Sequence, residues 1–329
     1  MDDIILRAED LQTHYFDKST VVRAVNGVSL SLRRGKTLGI TGESGCGKTT
    51  LALSILRLVP YPGRIVSGRI FFEDREITEM GAEELRRLRG REISMIFQDP
   101  VSGLNPTLSV GTQVEEIITN HLSVSKKEAR RMTMEALHQM GLPHPDRLVE
   151  QYPFHLSGGM CQRVMIAIAT VLNPQVIIAD EPTGALDVTV QAAILEELER
   201  LKRNDGVSIM LISHDLGIIA QMADEVAVMY AGSIVESGSV EAVFEQPRHP
   251  YTWALLSTRP RIDEPPGPLR TIRGVPPDLG ALPAECPFLP RCPKAINQCR
   301  QEPAPPLKTL SPGHRAACFN PVYQALADQ

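Results

Sequence analysis

A chain of 329 residues with 43% hydrophobic and 22% charged side chains has material for about two globular domains, which excludes a disordered or fibrous polymer. Its net charge of −5, from 34 Lys plus Arg against 39 Asp plus Glu, provides no overall field to draw in nucleic acid. No apolar run approaches the roughly 18 residues of a spanning helix, and the acidic start Met1-Asp2-Asp3 is unlike a secretory leader, so a cytosolic chain is expected.

Up to about Gln246, short β-rich apolar runs alternate with amphipathic helical patterns, which predicts an α/β domain on a largely parallel sheet. Thr37 to Ile40 is the first such run. It leads into Gly42-Glu43-Ser44-Gly45-Cys46-Gly47-Lys48-Thr49, which satisfies G-x-x-x-x-G-K-[ST] ahead of a helix from Lys48 toward Leu58. Glycines let backbone N–H groups curl around phosphates, Lys48 can reach the β and γ oxygens, and the Thr49 hydroxyl can bind Mg²⁺.

Arg69 to Phe72 reads as an antiparallel piece, and Ser94 to Phe97 as a strand followed by Gln98. Between Pro100 and roughly Pro153 strand signals vanish, which predicts a helical insertion of about residues 100–165. Within it Ser125-Lys126-Lys127-Glu128 reads as a capping box. Ala129, Met132, Ala136, Leu137 and Met140 share the next helix face, and Gly141 stops it. Leu156-Ser157-Gly158-Gly159-Met160-Cys161-Gln162-Arg163 opens a helix through Ala169, with Ser157 capping a second anion-receptive N-terminus.

Val176 to Ala179 ends in Asp180 and Glu181, two carboxylates that strand alternation points to different tasks, Asp180 toward a Mg²⁺ shell and Glu181 toward an attacking water. Ser208 to Ile212 is followed by His214, and Val226–Tyr230 with Ser233–Glu236 forms an antiparallel pair around Gly232.

After Pro247 neither period persists, and 17 of the 26 prolines fall from there onward. Such a tail is poorly equipped to hold itself by burial, and the domain core is expected not to depend on it. Boundaries of 1–246 and 247–329 follow. Cys286, Cys292, Cys299 and Cys318 are spaced C-x5-C-x6-C-x18-C. Structural zinc normally uses a tight C-x2–4-C knuckle, absent here, whereas a [4Fe–4S] cluster accepts looser spacing and Pro follows two of these cysteines. The cluster is the first reading, with Zn²⁺ and free or disulfide-bonded thiols as alternatives.

With these motifs in this order, roughly Ile4 to Gly238 resembles the ATP-binding subunits of ATP-binding-cassette (ABC) transporters. The resemblance implies an ABC-type P-loop ATPase core with an antiparallel β subdomain and a helical insertion, working on ATP with Mg²⁺. By position it implies that Tyr15 stacks on adenine and that Gly42, Ser44, Gly45, Cys46, Gly47, Lys48, Thr49 and Thr50 surround the phosphates. Gln98 and Thr49 would meet Mg²⁺, His214 the γ-phosphate, and Ser157 and Gly159 the nucleotide held by a second subunit. Met160 stands where the family usually has Gln, Gly184-Ala185-Leu186-Asp187 where it has Ser-Ala-Leu-Asp, and Cys46 where Ser is usual.

Gln246-Pro247-Arg248-His249-Pro250-Tyr251-Thr252, the Pro-rich stretch and the cysteines resemble the extension of the oligopeptide, dipeptide and nickel importer ATPases, in particular the "D" type that pairs with an "F" type. This implies a second ABC ATPase subunit, two transmembrane permease subunits and, indirectly, an extracytoplasmic peptide-binding protein as partners, and no nucleic acid. It also implies a peripheral position on the cytoplasmic face of the bacterial plasma (inner) membrane. Import of di- or oligopeptides is expected, with nickel import as the alternative. A soluble ABC ATPase acting on ribosomes or DNA is the more distant rival.

Overall fold

Apolar runs without alternation fold where both faces of a strand are covered. The computed structural model describes residues 3–184, 187–258 and 271–323, and in it every residue of Thr37–Thr41, Ile93–Ile96, Val176–Asp180 and Ser208–Ile212 is buried. The chain divides into two compact units, one of Met1–Ile5, Leu32–Lys36 and Glu79–Ile212, the other of Leu6–Ser31, Thr37–Thr78 and Ser213–Gln329. Ala185 and Leu186 of the Gly184–Asp187 segment, and residues 259–270 and 324–329 of the extension, lie outside the described residues.

In the first unit Ile93–Ile96, Val176–Asp180 and Ser208–Ile212 run parallel, with Met95 opposite Ile178 and Ile178 opposite Met210. Its longer helices, Val110–His121, Lys126–Gln139, Gly158–Thr170 and Val188–Asp205, all start on a polar cap, since Ser109, Ser125, Ser157 and Asp187 each accept a backbone N–H from the first turn. The capping box at Ser125 forms by half. Ser125 Oγ accepts from Glu128 N at 3.2 Å, but the Glu128 carboxylate is engaged by Arg131 one turn on, at 2.6 and 3.0 Å.

In the second unit a four-stranded antiparallel sheet has the order Val21–Arg33, Ile4–Phe16, Gly63–Phe72, Arg75–Glu76. Separately, Thr37–Thr41 lies parallel to Glu225–Tyr230, which pairs antiparallel with Ser233–Ser239 across a two-residue turn. Ala231 and Gly232 of that turn both have positive φ, 48° and 82°, the geometry that matches strand twist in a tight hairpin.

The tail departs from the expectation that the core does not depend on it. Lys308–Ser311 and His314–Ala316 form a hairpin whose second strand pairs with Ser233–Ser239, Glu236 opposite Ala316. A buried carboxylate holds this junction. Glu236 is fully buried and accepts from the backbone N–H of Arg248 (2.6 Å) and His249 (2.8 Å), while His314 Nε2 lies at 2.7 Å. Burial in turn pushes the His249 imidazole down to about 3, so it is neutral, and its Nδ1 accepts from Tyr251 N at 3.0 Å to cap the helix Pro250–Ser257.

Replacing Glu236 with Ala would strand several buried donors at once. Glu236→Ala is expected to lower the unfolding free energy by about 3 kcal/mol, read as a shift in the urea midpoint, with Glu236→Gln losing less because the amide oxygen can still accept.

Candidate functional site

The phosphate loop lies in the second unit and leaves no room for side chains at two of its glycines. A Cβ on Gly42 (φ 151°) would lie 2.1 Å from the Met229 carbonyl oxygen, and one on Gly47 (φ 105°) 2.0 Å from that of Ala24. Lys48 is buried, and its Nζ donates to the Gly42 and Glu43 carbonyls at 2.8 and 3.0 Å, so the ammonium is held at the loop. Ser44, Gly45 and Thr49 are exposed. Cys46 is turned inward, with its N–H on Glu43 O at 3.3 Å and burial pushing its thiol up.

Around this loop, the Tyr15 hydroxyl lies 3.5 Å from the Thr50 hydroxyl, and the Tyr15 ring passes so close to Gly63 that a Cβ there would lie 2.6 Å from it. His214 is exposed between Ser213, whose N–H donates to Ile40 O at 3.1 Å, and Asp215, which caps Leu216–Met222. The helix Lys48–Ile55 starts at the loop, as the motif requires, and is shorter than the run toward Leu58.

The remaining motif residues lie in the first unit. Asp180 ends its strand buried. Glu181 follows with φ 47°, a left-handed conformation that a non-glycine residue adopts at a cost of order 1–3 kcal/mol. Its N–H donates to Ile212 O at 2.9 Å, and its carboxylate accepts from Gln98 Nε2 at 3.0 Å. Two residues 83 apart in sequence are thus brought together. Ser157 is exposed and caps its helix through Met160 N at 3.3 Å, and a Cβ on Gly159 would press on Val190 at 3.1 Å.

All six cysteines are free thiols. Cys286, Cys292, Cys299 and Cys318 line one small, predominantly apolar pocket, together with His249 and Phe288 among others. Burial pushes the Cys286, Cys292 and Cys318 thiols up, Cys318 to about 12, and neighbouring cysteines of the set add to this. Backbone N–H groups of Phe288 and Leu289 at Cys286, Lys294 at Cys292 and Asn320 at Cys318 act the other way, favouring thiolate. Among the described residues no group of three or more His, Cys, Asp or Glu is placed to hold a single metal ion.

Two residues at the phosphate loop were not among the sequence candidates. Tyr251 accepts the Glu43 N–H at 2.8 Å through its hydroxyl, and Arg291 grips the Glu43 carboxylate with two nitrogens at 2.6 and 2.9 Å. The only sequence signal for either is an acid at a variable position of the motif and an arginine between two cysteines.

The family described as ABC transporter matches residues 25–184, and the oligopeptide/dipeptide transporter C-terminal region matches residues 235–299. The dipeptide transport ATP-binding protein DppD of Bacillus subtilis (strain 168) is 46% identical over 90% of this chain and 88% of its own length. The oligopeptide transport ATP-binding protein OppD of Salmonella typhimurium is 45% identical over 98% of this chain and 96% of its own. A bacterial ABC transporter cassette solved as a dimer superposes with a TM-score of 0.65 at 27% identity, covering 71% of this chain and 98% of that one. Identity at this level along nearly the whole length, with the motif geometry above, means that the chain belongs to the family of ABC transporter ATP-binding proteins that carry the oligopeptide/dipeptide transporter C-terminal region.

Proposed function

We propose that this chain is the ATP-hydrolysing subunit that powers import of di- and oligopeptides through an ABC transporter. The observation that supports it most directly is the Gln98–Glu181 pair, an amide donating to the carboxylate of a residue with left-handed backbone, on a chain that also carries a sterically closed phosphate loop. In this reading Lys48 and the loop N–H groups take the phosphates, Tyr15 stacks on adenine, and Glu181 accepts the proton of the water that attacks the γ-phosphorus as the bond to the leaving ADP oxygen breaks. His214 meets the γ-phosphate. Ser157 and Gly159 serve the nucleotide held by a second cassette.

In this reading Thr49, which is exposed, and the amide oxygen of Gln98, whose nitrogen donates to Glu181, would hold Mg²⁺, with Asp180 in its outer shell. Bound there, Mg²⁺ would neutralise charge on the β and γ oxygens. The partners in this reading are a related ATPase subunit, two permease subunits and an extracytoplasmic peptide-binding protein, with the chain peripheral on the cytoplasmic membrane face. Among the described residues no helix is long and apolar enough to cross a membrane. Residues 1–246 form the ATPase domain in this reading, and 247–329 its extension.

In this reading the four-cysteine pocket would hold a [4Fe–4S] cluster. Four free thiols line one apolar pocket, with backbone N–H groups directed at three of the sulfurs. Cys286, Cys292, Cys299 and Cys318 would hold it. The cluster would act as a cross-link for a region with little core of its own, and hydrolysis requires no redox step.

Three measurements test this. Glu181→Gln is expected to bind MgATP and trap a closed dimer while turnover falls by at least about 100-fold; near-normal turnover would remove Glu181 from the catalytic role. Reconstituted with its permease and partner ATPase, the chain should drive ATP-dependent uptake of labelled di- or oligopeptide, and uptake of nickel without peptide would overturn the substrate assignment. Anaerobically purified protein should be brown with about four iron atoms and four acid-labile sulfides per chain. One zinc without sulfide, or a metal-free colourless protein, would overturn the cluster.

A further inference from the structure

Glu43 is the first variable residue of the phosphate loop, and all its polar groups are engaged. Its N–H donates to the Tyr251 hydroxyl at 2.8 Å, its carbonyl accepts from Lys48 Nζ at 3.0 Å, and its carboxylate takes both terminal nitrogens of Arg291 at 2.6 and 2.9 Å. The Arg291 side chain is only 4% exposed. It also donates to the Tyr230 hydroxyl at 3.2 Å and, through Nε, to the Arg273 carbonyl at 3.0 Å. A bidentate guanidinium fixed on four sides holds its partner in angle as well as distance.

Arg291 belongs to the short turn Leu289–Arg291 that joins two of the pocket cysteines. Leu289 N donates to Cys286 O at 2.9 Å and Cys292 N to Leu289 O at 3.3 Å, so the turn is bounded by cysteine backbone at both ends. Phe288, at its start, lines the pocket and packs on Tyr230 and Tyr251 with ring centroids 5.3 and 5.4 Å apart, the same two tyrosines that meet Arg291 and Glu43. A change in the pocket that moves this turn must therefore move the guanidinium. The loop cannot absorb the change, because Gly42 and Gly47, on either side of the stretch Glu43 to Cys46, abut backbone. Charge acts in the same direction, since without Arg291 the Glu43 carboxylate would stand uncompensated beside an incoming polyphosphate.

We propose that Arg291 is a positioning residue that couples the four-cysteine pocket to the phosphate loop, so that an intact pocket holds the loop in its nucleotide-binding shape and a disturbed one lowers the affinity for ATP. The coupling rests on the reading of this chain as a nucleotide-binding subunit, and on the cluster reading only for what occupies the pocket.

The test is titration of the full chain with the fluorescent analogue mant-ATP, alongside thermal melting. Arg291→Ala is expected to weaken binding about tenfold, and Arg291→Lys, which keeps the charge but loses the fork, to fall between it and the native chain. Adding Glu43→Gln to Arg291→Ala should restore part of the loss by removing the uncompensated charge, a rescue that general destabilisation would not produce. In the assembled transporter the KM for ATP should rise far more than kcat falls. Cys318→Ser should also weaken mant-ATP binding, and should add nothing further in the Arg291→Ala background. Binding within twofold of native for Arg291→Ala, no effect of Cys318→Ser on binding, or full additivity of the two would each overturn the coupling. Iron and sulfide analysis decides the cluster separately: a chain without iron whose variants still behave as described loses the cluster and keeps the coupling.

Discussion

A loop of backbone N–H groups that is to receive a polyphosphate has to be held in shape by something other than the polyphosphate. Donors converging on one point repel each other, and in isolation such a loop would relax toward water. Here the holding is done by close packing and by internal acceptors. Gly42 and Gly47 sit against carbonyl oxygens at distances no Cβ could share, and Lys48 rests on the Gly42 and Glu43 carbonyls. The outward-facing side of the loop is then closed by Tyr251 and Arg291, both from the extension. The ligand finds its site organised in advance, which spares it the ordering cost on binding.

That arrangement changes what the extension is for. A proline-rich segment with a few short elements reads as an appendage, yet it adds two strands beside Ser233–Ser239, with Lys308–Ser311 at the edge, and a partner to the buried Glu236. A carboxylate with no exposure is tolerated only when its acceptor capacity is met, and here the donors come from Arg248, His249 and His314. The extension and the strands before it are thus parts of one core. In the wider family described as ABC transporter, the match ends at residue 184, before any of this begins.

The local signals were legible because their physics is local. The phosphate motif, the Ser157 and Ser125 caps and the fully apolar strands follow from residue type and short spacing, and each lies where the sequence places it. Motif order singled out Gln98 and Glu181 separately, but their pairing was not legible, since nothing in either segment alone brings the other near. The tail strands were not legible: Lys308–Ser311 is exposed throughout and His314–Ala316 has three residues, too few for a period to show. The buried carboxylate that meets His314 lies 78 residues away. The Glu43–Arg291 pair spans 248 residues and joins a position the motif leaves free to one that the cysteine spacing leaves free. Pattern reading discards such positions by construction.

The variable positions of a motif are where one subfamily can differ from another without touching the shared chemistry. Gly42 and Gly47 are constrained by abutting backbone, and Lys48 and Thr49 in the proposed reading by phosphate and metal, so a chain that needs its nucleotide loop tied to something else must use the residues between them. Glu43 suits this role because its backbone serves the loop while its carboxylate is taken by a residue of the extension. An arginine is the matching partner, since a lysine would hold one oxygen and leave the carboxylate free to rotate. With the guanidinium anchored to Tyr230 and to the Arg273 carbonyl, the bond geometry is shared among groups from three separate stretches of the extension and the strand before it. A loop held in this way responds to displacement of any one of them, and the stretch that carries Arg291 is the one bounded by Cys286 and Cys292.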